Sequence, residues 1–257
     1  MDRGSSVSDA SIERAGAMIR AASRVVVLTG AGISTRSGIP DFRGPQGLWT
    51  LNPLAEKMSN IEHYINNPEV RRLAWQSRLE SPAFNAAPNA AHRCLVALEQ
   101  RGTLGTLVTQ NVDGLHQAAG SDPSLVVEVH GTLHWSRCWS CDDRRPMLDT
   151  LARVTAGDPD PACLLCGGIL KSDTISFGQS LVQEVIERAM DASDHCDLLL
   201  TVGTSLGVYP VANMVPRAKA NGSAILIVNG EPTAMDRYAD DVIGGDIVEV
   251  LPRLIGP

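Results

Sequence analysis

Short runs of β-branched and aliphatic residues alternate along this chain with segments of helical periodicity. The strand-like runs fall at 24–29, 104–110, 125–129, 197–202 and 224–228. The helical patterns fall at 12–22, 89–99, 112–119, 182–190 and 247–254. Strands that are apolar on both faces need cover on both faces, and strands that alternate with helices form parallel sheets. The sequence therefore predicts an α/β fold with a doubly wound parallel sheet.

Two stretches interrupt this alternation. Residues 44–88 contain polar helical segments and no convincing strand, whereas residues 132–172 contain two Cys-x-x-Cys pairs and a stretch rich in Gly, Asp and Pro. We interpret both as insertions that project from the sheet. The predicted division is a large domain made of 1–43, 89–131 and 173–257, a helical insertion at 44–88 and a zinc-binding insertion at 132–172.

The composition excludes disorder and argues against several classes of partner. Of 257 residues, 44% are hydrophobic and 20% are charged, which allows a sizeable core. A net charge of -7 argues against direct binding of nucleic acid. No signal-peptide pattern or membrane-length apolar run is present, so we expect a cytoplasmic protein without a membrane partner. In that reducing compartment a disulfide framework is not expected, and Cys94 and Cys196 are predicted to be small core residues. The oligomeric state stays open.

The most specific local motif is a set of two cysteine pairs, Cys138/Cys141 and Cys163/Cys166. Each pair places two thiolates on a tight turn, and two such turns close a tetrahedral site that suits zinc. With four protein ligands the metal has no open position, so we predict one structural Zn²⁺ that takes no part in catalysis. The alternatives are ordinary buried cysteines, a pair of redox motifs, or a zinc-ribbon module that binds nucleic acid, although the flanks are not basic.

A glycine-containing loop at 30–34 (Gly-Ala-Gly-Ile-Ser) follows the first predicted strand. Glycines at the start of such a loop let the backbone approach a pyrophosphate. Thr35 occupies the third glycine position of the dinucleotide-binding fingerprint, so a plain tight turn is the alternative. Asp41, Phe42 and Arg43 follow in succession, and we predict that they form a lid on a charged ligand.

Polar residues also follow other predicted strands. The segment 109–116 (Thr-Gln-Asn-Val-Asp-Gly-Leu-His) has amides and a carboxylate that can bind ribose hydroxyls and a carboxamide, although Asn111 or Asp113 alone would also serve as a helix N-cap. Segments 203–205 and 229–231 follow two further strands. With the glycine loop and the end of the 125–129 strand, five strand ends carry polar chemistry. The carboxyl edge of a parallel sheet is where ligands bind, so the sequence predicts a site there.

One histidine, His130, lies at the end of the strand 125–129 and at this same edge. Imidazole is the natural general base near neutral pH, so His130 is the candidate base. The remaining histidines outside the 109–116 motif have no such context, and we interpret them as surface or structural residues: His63, His92, His134 and His195.

Taken in order, the motifs GAGIS, GIPDFRG, TQNVDGLH, HG, the two cysteine pairs, FG, GTSLGVYP and NGEPT resemble the sirtuin family of bacterial type, the NAD-dependent protein lysine deacylases. The resemblance covers residues 25–247. It implies a Rossmann-like large domain and a small domain built from the two insertions. It also implies that NAD and an acylated lysine of a protein substrate meet in the cleft between them.

The resemblance implies roles for individual residues. His130 and Asn111 are the implied catalytic residues. The residues implied to hold NAD belong to the loops named above and to the start of the last helix: Gly30, Ala31, Gly32, Ser34, Asp41, Phe42, Arg43, Trp49, Gln110, Asn111, Val112, Asp113, Gly203, Thr204, Ser205, Asn229, Gly230, Glu231 and Ile247. The residues implied to flank the substrate peptide as an added strand are Phe177, Gly178, Gly207 and Val208.

The implied reaction consumes NAD as a substrate. The acyl-lysine carbonyl oxygen attacks the nicotinamide ribose carbon as nicotinamide leaves, and His130 acts as base on a ribose hydroxyl. That hydroxyl then attacks the alkylamidate carbon, and water completes the reaction. The products are free lysine, nicotinamide and O-acyl-ADP-ribose. The alternatives are mono-ADP-ribosyl transfer and a non-catalytic NAD-binding or zinc interaction module, against which His130 argues. A nicotinamide-dependent dehydrogenase is disfavoured by Thr35.

The sequence departs from the family near the implied peptide site. Ser172 stands where proline is common, and Gln179 stands where glutamate usually follows the FG segment. Family members that remove succinyl or malonyl groups carry a Tyr-x-x-Arg pair in the helical insertion. Here the matching positions are Trp75 and Arg78 or, one residue earlier, 74 and 77, and neither pair has the tyrosine. We therefore predict an acetyl group or another uncharged acyl group as substrate.

Overall fold

The structure is a computed structural model that describes residues 7–42, 44 and 47–256, and only the main chain of Pro53. Its strands are β1 (Val25–Thr29), β2 (Leu104–Thr109), β3 (Val126–Glu128), β4 (Gly131–Cys138), β5 (Arg144–Pro146), β6 (Leu170–Thr174), β7 (Leu198–Val202), β8 (Ala224–Val228) and β9 (Asp241–Ile243). Its α-helices are α1 (Asp9–Ala21), α2 (Leu48–Leu51), α3 (Pro53–Met58), α4 (Ile61–Asn66), α5 (Pro68–Leu79), α6 (Ala90–Gln100), α7 (Leu115–Ala119), α8 (Met147–Thr155), α9 (Gln183–Asp194), α10 (Met214–Ala220) and α11 (Ile247–Ile255). Within the described ranges, no helix combines the length and apolar character needed to cross a bilayer.

Six strands form one sheet in the order β3-β2-β1-β7-β8-β9, and every neighbouring pair is parallel. Apolar clusters cover both faces: one includes residues of α1, α6 and α11, and the other includes residues of α9 and α10. The strand order reverses between β1 and β7, which is where a doubly wound sheet opens a crevice for ligands. The predicted Rossmann-like doubly wound sheet is therefore confirmed.

Most predicted elements of the large sheet are present with small changes at their ends. Helix α1 begins after Ser8, whose side chain accepts the Ser11 main-chain N–H, and α6 begins after Asn89. Helix α7 starts three residues later than predicted, because Gly114 adopts a left-handed conformation with φ 70°. The prediction missed β9, which has three residues, and α10, which contains Pro216.

A second, antiparallel sheet in the order β5-β4-β6 spans Gly131 to Thr174 and is packed against α8. Trp75 of the helical insertion is fully buried in the apolar cluster of this sheet, together with Cys138 and Cys163. The two insertions therefore share one small core. The predicted domain boundaries stay a prediction, and the small sheet extends one residue before and two residues after the predicted segment 132–172.

Candidate active site at the crevice between β1 and β7

The loops that follow β1 and β7 interlock through three glycines. The Gly32 N–H donates to the Gly203 carbonyl at 2.9 Å, and Gly30 donates to Val202 at 3.0 Å. A Cβ atom at Gly32 would lie 2.8 Å from the Gly203 Cα atom, and one at Gly30 would lie 2.7 Å from the Thr204 Cβ atom. Gly203 itself is left-handed, with φ 63°. Glycine is thus required here by contact between the two loops, before any ligand is considered.

A buried polar network lies at the carboxyl ends of β1 and β2. The Ser34 hydroxyl donates to Asp113 Oδ2 at 2.7 Å. The Asn111 side-chain amide donates to Ser34 Oγ and to the Gly30 carbonyl, both at 3.1 Å. Asp113 Oδ1 accepts the Leu115 N–H at 3.0 Å. Three residues that the sequence predicted from two separate loops are therefore joined, with their rotamers held by hydrogen bonds.

His92 extends this network, although the sequence had given it no part in the site. Its Nδ1 atom accepts the Asn89 N–H at 3.3 Å, so the proton is on Nε2, which lies 3.4 Å from Ser34 Oγ. Burial lowers the pKa of His92 to about 4, against the opposing effect of the Asp113 carboxylate. The imidazole is therefore neutral near pH 7 and acts as a hydrogen-bond donor to Ser34.

A second buried histidine, His116, lies beside His92 with the ring centroids 5.0 Å apart. Its Nε2 atom is 2.9 Å from Thr29 Oγ1, which donates to Thr109 Oγ1 at 2.8 Å, so Nε2 carries the proton. Burial and the neighbouring His92 lower the pKa of His116 to about 3. Both rings are thus kept uncharged beneath the crevice.

The predicted base, His130, follows β3 and is partly buried. Its Nδ1 atom lies 3.0 Å from the Gln110 carbonyl oxygen, which can only accept, so Nδ1 carries the proton and Nε2 has the free lone pair. Burial lowers the pKa of His130, with the bond to Gln110 opposing part of that shift. The ring is therefore a neutral imidazole at neutral pH, as a general base requires.

Two of the three predicted lid residues, Asp41 and Phe42, are hydrogen-bonded to the first residues of α2, next to an aromatic cluster. The Leu48 N–H donates to the Asp41 carbonyl at 2.7 Å, and Trp49 donates to Phe42 at 3.0 Å. The Trp49 ring lies 5.1 Å from the ring of Phe42 and 5.0 Å from that of Phe177, measured between centroids. Phe42 is 44% exposed. The third predicted lid residue, Arg43, lies outside the described residues.

Gln110 connects the central strands across the crevice. Its Nε2 atom donates to Thr204 Oγ1 at 2.8 Å, and its carbonyl is the partner of His130.

Two further residues implied to hold NAD lie in the loops after β1 and β2. Ala31 begins the short 3-10 helix that follows Gly30. Val112 accepts the Leu133 N–H at 2.9 Å, which ties the loop after β2 to β4.

The other half of the predicted site follows β8. The Asn229 amide donates to the Glu231 carbonyl at 2.6 Å, and the Asn229 N–H donates to the Ile243 carbonyl at 3.1 Å. Gly230 lies between Asn229 and Glu231 in the sequence, and a Cβ atom built on it would lie 3.8 Å from the Gly245 carbonyl oxygen. Ser205, in the loop after β7, is exposed.

Ile247, predicted to lie near an adenine, is the first residue of α11 and is 7% exposed within the apolar core. Its side chain packs in the cluster beneath the sheet, so little of it faces the crevice.

Phe177, one of the predicted peptide-flanking residues, is paired with the helical insertion. Its N–H donates to the Ser59 carbonyl at 2.8 Å, and its carbonyl accepts the Ile61 N–H at 2.9 Å. Both main-chain polar groups of Phe177 are thus bonded to the helical insertion. The next residue, Gly178, is left-handed with φ 82° and is exposed.

Gln179, which the sequence left without a role, closes the turn that presents Gly178. Its Oε1 atom accepts the Ser176 N–H at 3.2 Å, and its own N–H donates to the Ser176 carbonyl at 3.0 Å. On the β7 side, Gly207 is exposed and Val208 is half-buried, with the Val208 carbonyl accepting the Ala212 N–H at 3.0 Å.

A small cavity of about 130 Å³, here called the insertion cavity, lies among α2, α3 and α5. Its lining includes Ala55, Ser59 and Arg78. Arg78 Nη2 donates to Ser172 Oγ at 3.0 Å, and Nη1 is buried without a hydrogen-bond partner among the described residues. The Ser172 hydroxyl, absent where proline is present, therefore holds this guanidinium beside the cavity. The Arg78 guanidinium also lies over the ring of Trp75, with 5.0 Å between the Arg78 Cζ atom and the ring centroid.

The four predicted metal ligands converge. The sulfur atoms of Cys138, Cys141, Cys163 and Cys166 all lie within 4.8 Å of one another. The two Sγ pairs across the site are 3.5 Å and 3.7 Å apart, too long for disulfides and close to the ~3.8 Å edge of a ZnS₄ tetrahedron. The donor set fits a structural Zn²⁺ closed by four thiolates.

Comparisons with known proteins agree with this geometry. The Sir2 family model matches residues 30–210. NAD-dependent protein deacetylase 2 of Streptomyces coelicolor is 48% identical over 231 residues, which are 90% of this chain and 96% of that protein. An NAD-dependent protein deacetylase of Sulfolobus acidocaldarius is 44% identical over 239 residues, 93% of this chain and 91% of that protein. A solved Sir2 structure with a p53 peptide and NAD+ is 32% identical, with a TM-score of 0.83 and coverage of 93% and 95%. The chain belongs to the Sir2 family.

Proposed function

We propose that this protein is an NAD-dependent protein lysine deacylase that produces free lysine, nicotinamide and O-acyl-ADP-ribose. The observation that carries the proposal is the placement of a neutral His130, with its Nε2 lone pair free, on the Gln110 carbonyl next to the Ser34–Asn111–Asp113 network. A module that only binds NAD needs no base at this point, whereas deacylation does.

The residues present fit NAD on chemical grounds. In the loop 30–34 the N–H groups of residues 30 and 32–34 already donate within the protein, so phosphates are proposed to contact Ala31 there, and Thr204 and the exposed Ser205 in the loop after β7. Asn229 and Glu231 are proposed to lie on the adenosine side. Gln110, Asn111 and Asp113 are proposed to bind the nicotinamide ribose and the carboxamide. When bound, NAD supplies a ribose carbon that loses nicotinamide and accepts the acyl-lysine carbonyl oxygen.

His130 is proposed to take the proton of a ribose hydroxyl through Nε2, since Nδ1 is held by the Gln110 carbonyl. The Asn111 amide, fixed by Gly30 and Ser34, is proposed to orient that ribose. The aromatic cluster of Phe42, Trp49 and Phe177 is proposed to exclude water while the acyl group is engaged.

The substrate class that we propose is an acetylated lysine, because Trp75 and not a tyrosine stands three residues before Arg78. The tyrosine that does contact Arg78, Tyr64, lies with its ring centroid 5.6 Å from the Arg78 Cζ atom and uses its hydroxyl to donate to the Leu170 carbonyl. One observation favours a second candidate, an acyl group that ends in a carboxylate. Arg78 lines the insertion cavity and leaves Nη1 buried without a partner among the described residues. A carboxylate placed there would satisfy that donor. Ser59 links the cavity to the site, since its carbonyl accepts the Phe177 N–H.

Mass spectrometry of lysine-acylated peptides tests these assignments. We expect NAD-dependent loss of the acetyl group with formation of O-acetyl-ADP-ribose, and no product from His130→Ala although that variant still binds NAD. A succinyl-lysine rate above the acetyl-lysine rate, reversed in Arg78→Met, would select the second candidate. Transfer of ADP-ribose to protein without deacylation would refute both.

A further inference from the structure

An open groove of about 710 Å³ lies between α9 and α10, outside the candidate active site. Both helices contribute apolar and polar side chains to it. The lining residues that matter here are Ile186, Met190, Pro210 and Pro216, which are apolar, and Glu187 and Asp191, which are acidic. Ile186 and Met190 are only half-buried, so a strip of apolar surface on α9 stays open to a ligand.

The charge of the groove is negative and is only partly neutralised from within. Asp194 is paired with Arg217, whose Nε atom lies 2.9 Å from Asp194 Oδ1. Glu187 forms no ion pair with a lysine or arginine within the part of the chain that the structure describes. Asp191 is 3.3 Å from His195 Nδ1, a contact that is ionic only when that histidine is protonated. Glu187 accepts a hydrogen bond from the neutral Gln183 side-chain amide, which leaves its charge in place. Two carboxylates of the groove are thus not neutralised by a lysine or arginine and can attract a cationic ligand.

The groove continues the two segments that we propose to flank the substrate peptide. One wall begins at Gln183, five residues after Gly178, and the other begins at Pro210, two residues after Val208. Tyr209, between Val208 and Pro210, is 61% exposed. A chain bound between Gly178 and Val208 and leaving the cleft on this side therefore meets the groove.

We infer that this groove binds one flank of the acylated substrate protein, with a preference for lysine or arginine accompanied by an apolar side chain. The inference rests on the proposed deacylase function. The apolar residue packs on Ile186 and Met190, and the cations face Glu187 and Asp191. Helix α9 has 12 residues and is about 18 Å long, so about five or six extended residues fill the groove. Acyl-lysine selection would then depend on sequence several residues from the lysine.

Peptide kinetics with the full-length protein test this. A three-residue acetyl-lysine peptide is compared with peptides extended by eight residues on the N-terminal or the C-terminal side, each in a Lys/Leu version and a Glu/Leu version. We expect one basic extension to have a KM about three- to tenfold lower than its acidic counterpart, with the difference shrinking at high salt. Glu187→Lys should remove most of this difference and leave the three-residue peptide unchanged.

Glu184→Lys is the matched control, since it makes the same charge change on α9 at an exposed residue outside the groove lining. Equal KM values for basic and acidic extensions on both sides, or equal effects of the two variants, would overturn the inference. So would self-association that Glu187→Lys abolishes in sedimentation, since that assigns the groove to a second copy of the chain. If no peptide is deacylated, the proposed function fails, while fluorescence anisotropy of the labelled basic peptide still tests the groove.

Discussion

The Nδ1 atom of His130 lies 3.0 Å from the carbonyl oxygen of Gln110, and this bond decides which ring nitrogen is free for chemistry. Gln110 also bonds Thr204 across the crevice, so the base, the loop after β2 and the loop after β7 are connected through one residue. A general base held in this way has its tautomer set before any substrate arrives.

The first prediction concerns the pH dependence of the deacylation rate. Because burial lowers the pKa of His130 below its ordinary 6.5, the base stays neutral at pH values where an exposed histidine is already protonated. We expect kcat/KM to fall as the pH falls, with the midpoint of the acid limb below 6.5. A profile measured with His130→Asn should be low throughout and should lack that limb. A midpoint above 6.5 in the unmodified protein would contradict the assignment.

The second prediction concerns stability at low pH. His92 and His116 have folded-state pKa values of about 4 and about 3, below the ordinary 6.5, so the unfolded chain binds their protons first. The stability that these two neutral histidines contribute is complete above pH 6.5 and is lost as the pH falls below that value. With two such groups, the free energy of unfolding should decrease by up to about 2.7 kcal/mol for each pH unit between pH 6.5 and the folded-state pKa values.

Urea unfolding at a series of pH values measures that slope. His92→Gln removes one titrating group and should reduce the slope by about half, to ~1.4 kcal/mol per pH unit. Asn66→Gln, at an exposed position without a titratable group, is the control and should leave the slope unchanged. An unchanged slope in His92→Gln would show that the buried pair is not the cause.

The third prediction concerns the contact between the loops after β1 and β7. Gly32→Ala would place a Cβ atom 2.8 Å from the Gly203 main chain, and neither loop can yield without breaking the Gly32–Gly203 hydrogen bond. We expect a loss of about 1–3 kcal/mol in the free energy of unfolding. Gly244→Ala, where no atom of the described residues lies within 4 Å of the new Cβ, should change it by about 0.5 kcal/mol or less.

The fourth prediction concerns the cysteine cluster. Cys141→Ser should lower the zinc content from one atom per chain, measured by plasma mass spectrometry. It should also raise the exposure of Trp75, measured by fluorescence in a background where the other three tryptophans are replaced by phenylalanine. The reason is that Trp75 packs in the core that includes Cys138 and Cys163. Cys196→Ser should retain zinc, because its sulfur lies near Ser223 and outside the cluster. Full zinc retention in Cys141→Ser would refute the four-thiolate site.

The sequence alone predicts the sheet and the four sulfur ligands well, because apolar strands and paired cysteines are local patterns. It also predicts that Asn111 and Asp113 lie at the carboxyl edge of the sheet, since they follow β2, and the structure places them there. Their roles toward a ligand stay a prediction. The sequence does not identify His92, whose local signal is the start of α6: Asn89 caps the helix, and the same histidine that completes the cap reaches Ser34 from a distant part of the chain. No periodic pattern in the sequence predicts the contact between His92 and Ser34.

Two elements of the large domain were missed for related reasons. Pro216 lies inside α10, where a proline normally indicates a helix end, and the short strand β9 is recognised only by its pairing with β8. The predicted helix that begins at Ile247 is present as α11, but the burial of the Ile247 side chain in the core is a tertiary property that the sequence does not show. Its predicted contact with the adenine stays a prediction.

The burial of Trp75 has a consequence for synthesis on the ribosome. Its partner Cys163 follows it by 88 residues, and translation at ~5–20 residues per second needs about 4–18 s to reach that cysteine. During that interval the core that covers Trp75 lacks Cys163 and Leu170, the last of its buried members along the chain. A nascent chain paused before residue 163 therefore holds this indole in an incomplete core, whereas the completed protein buries it fully.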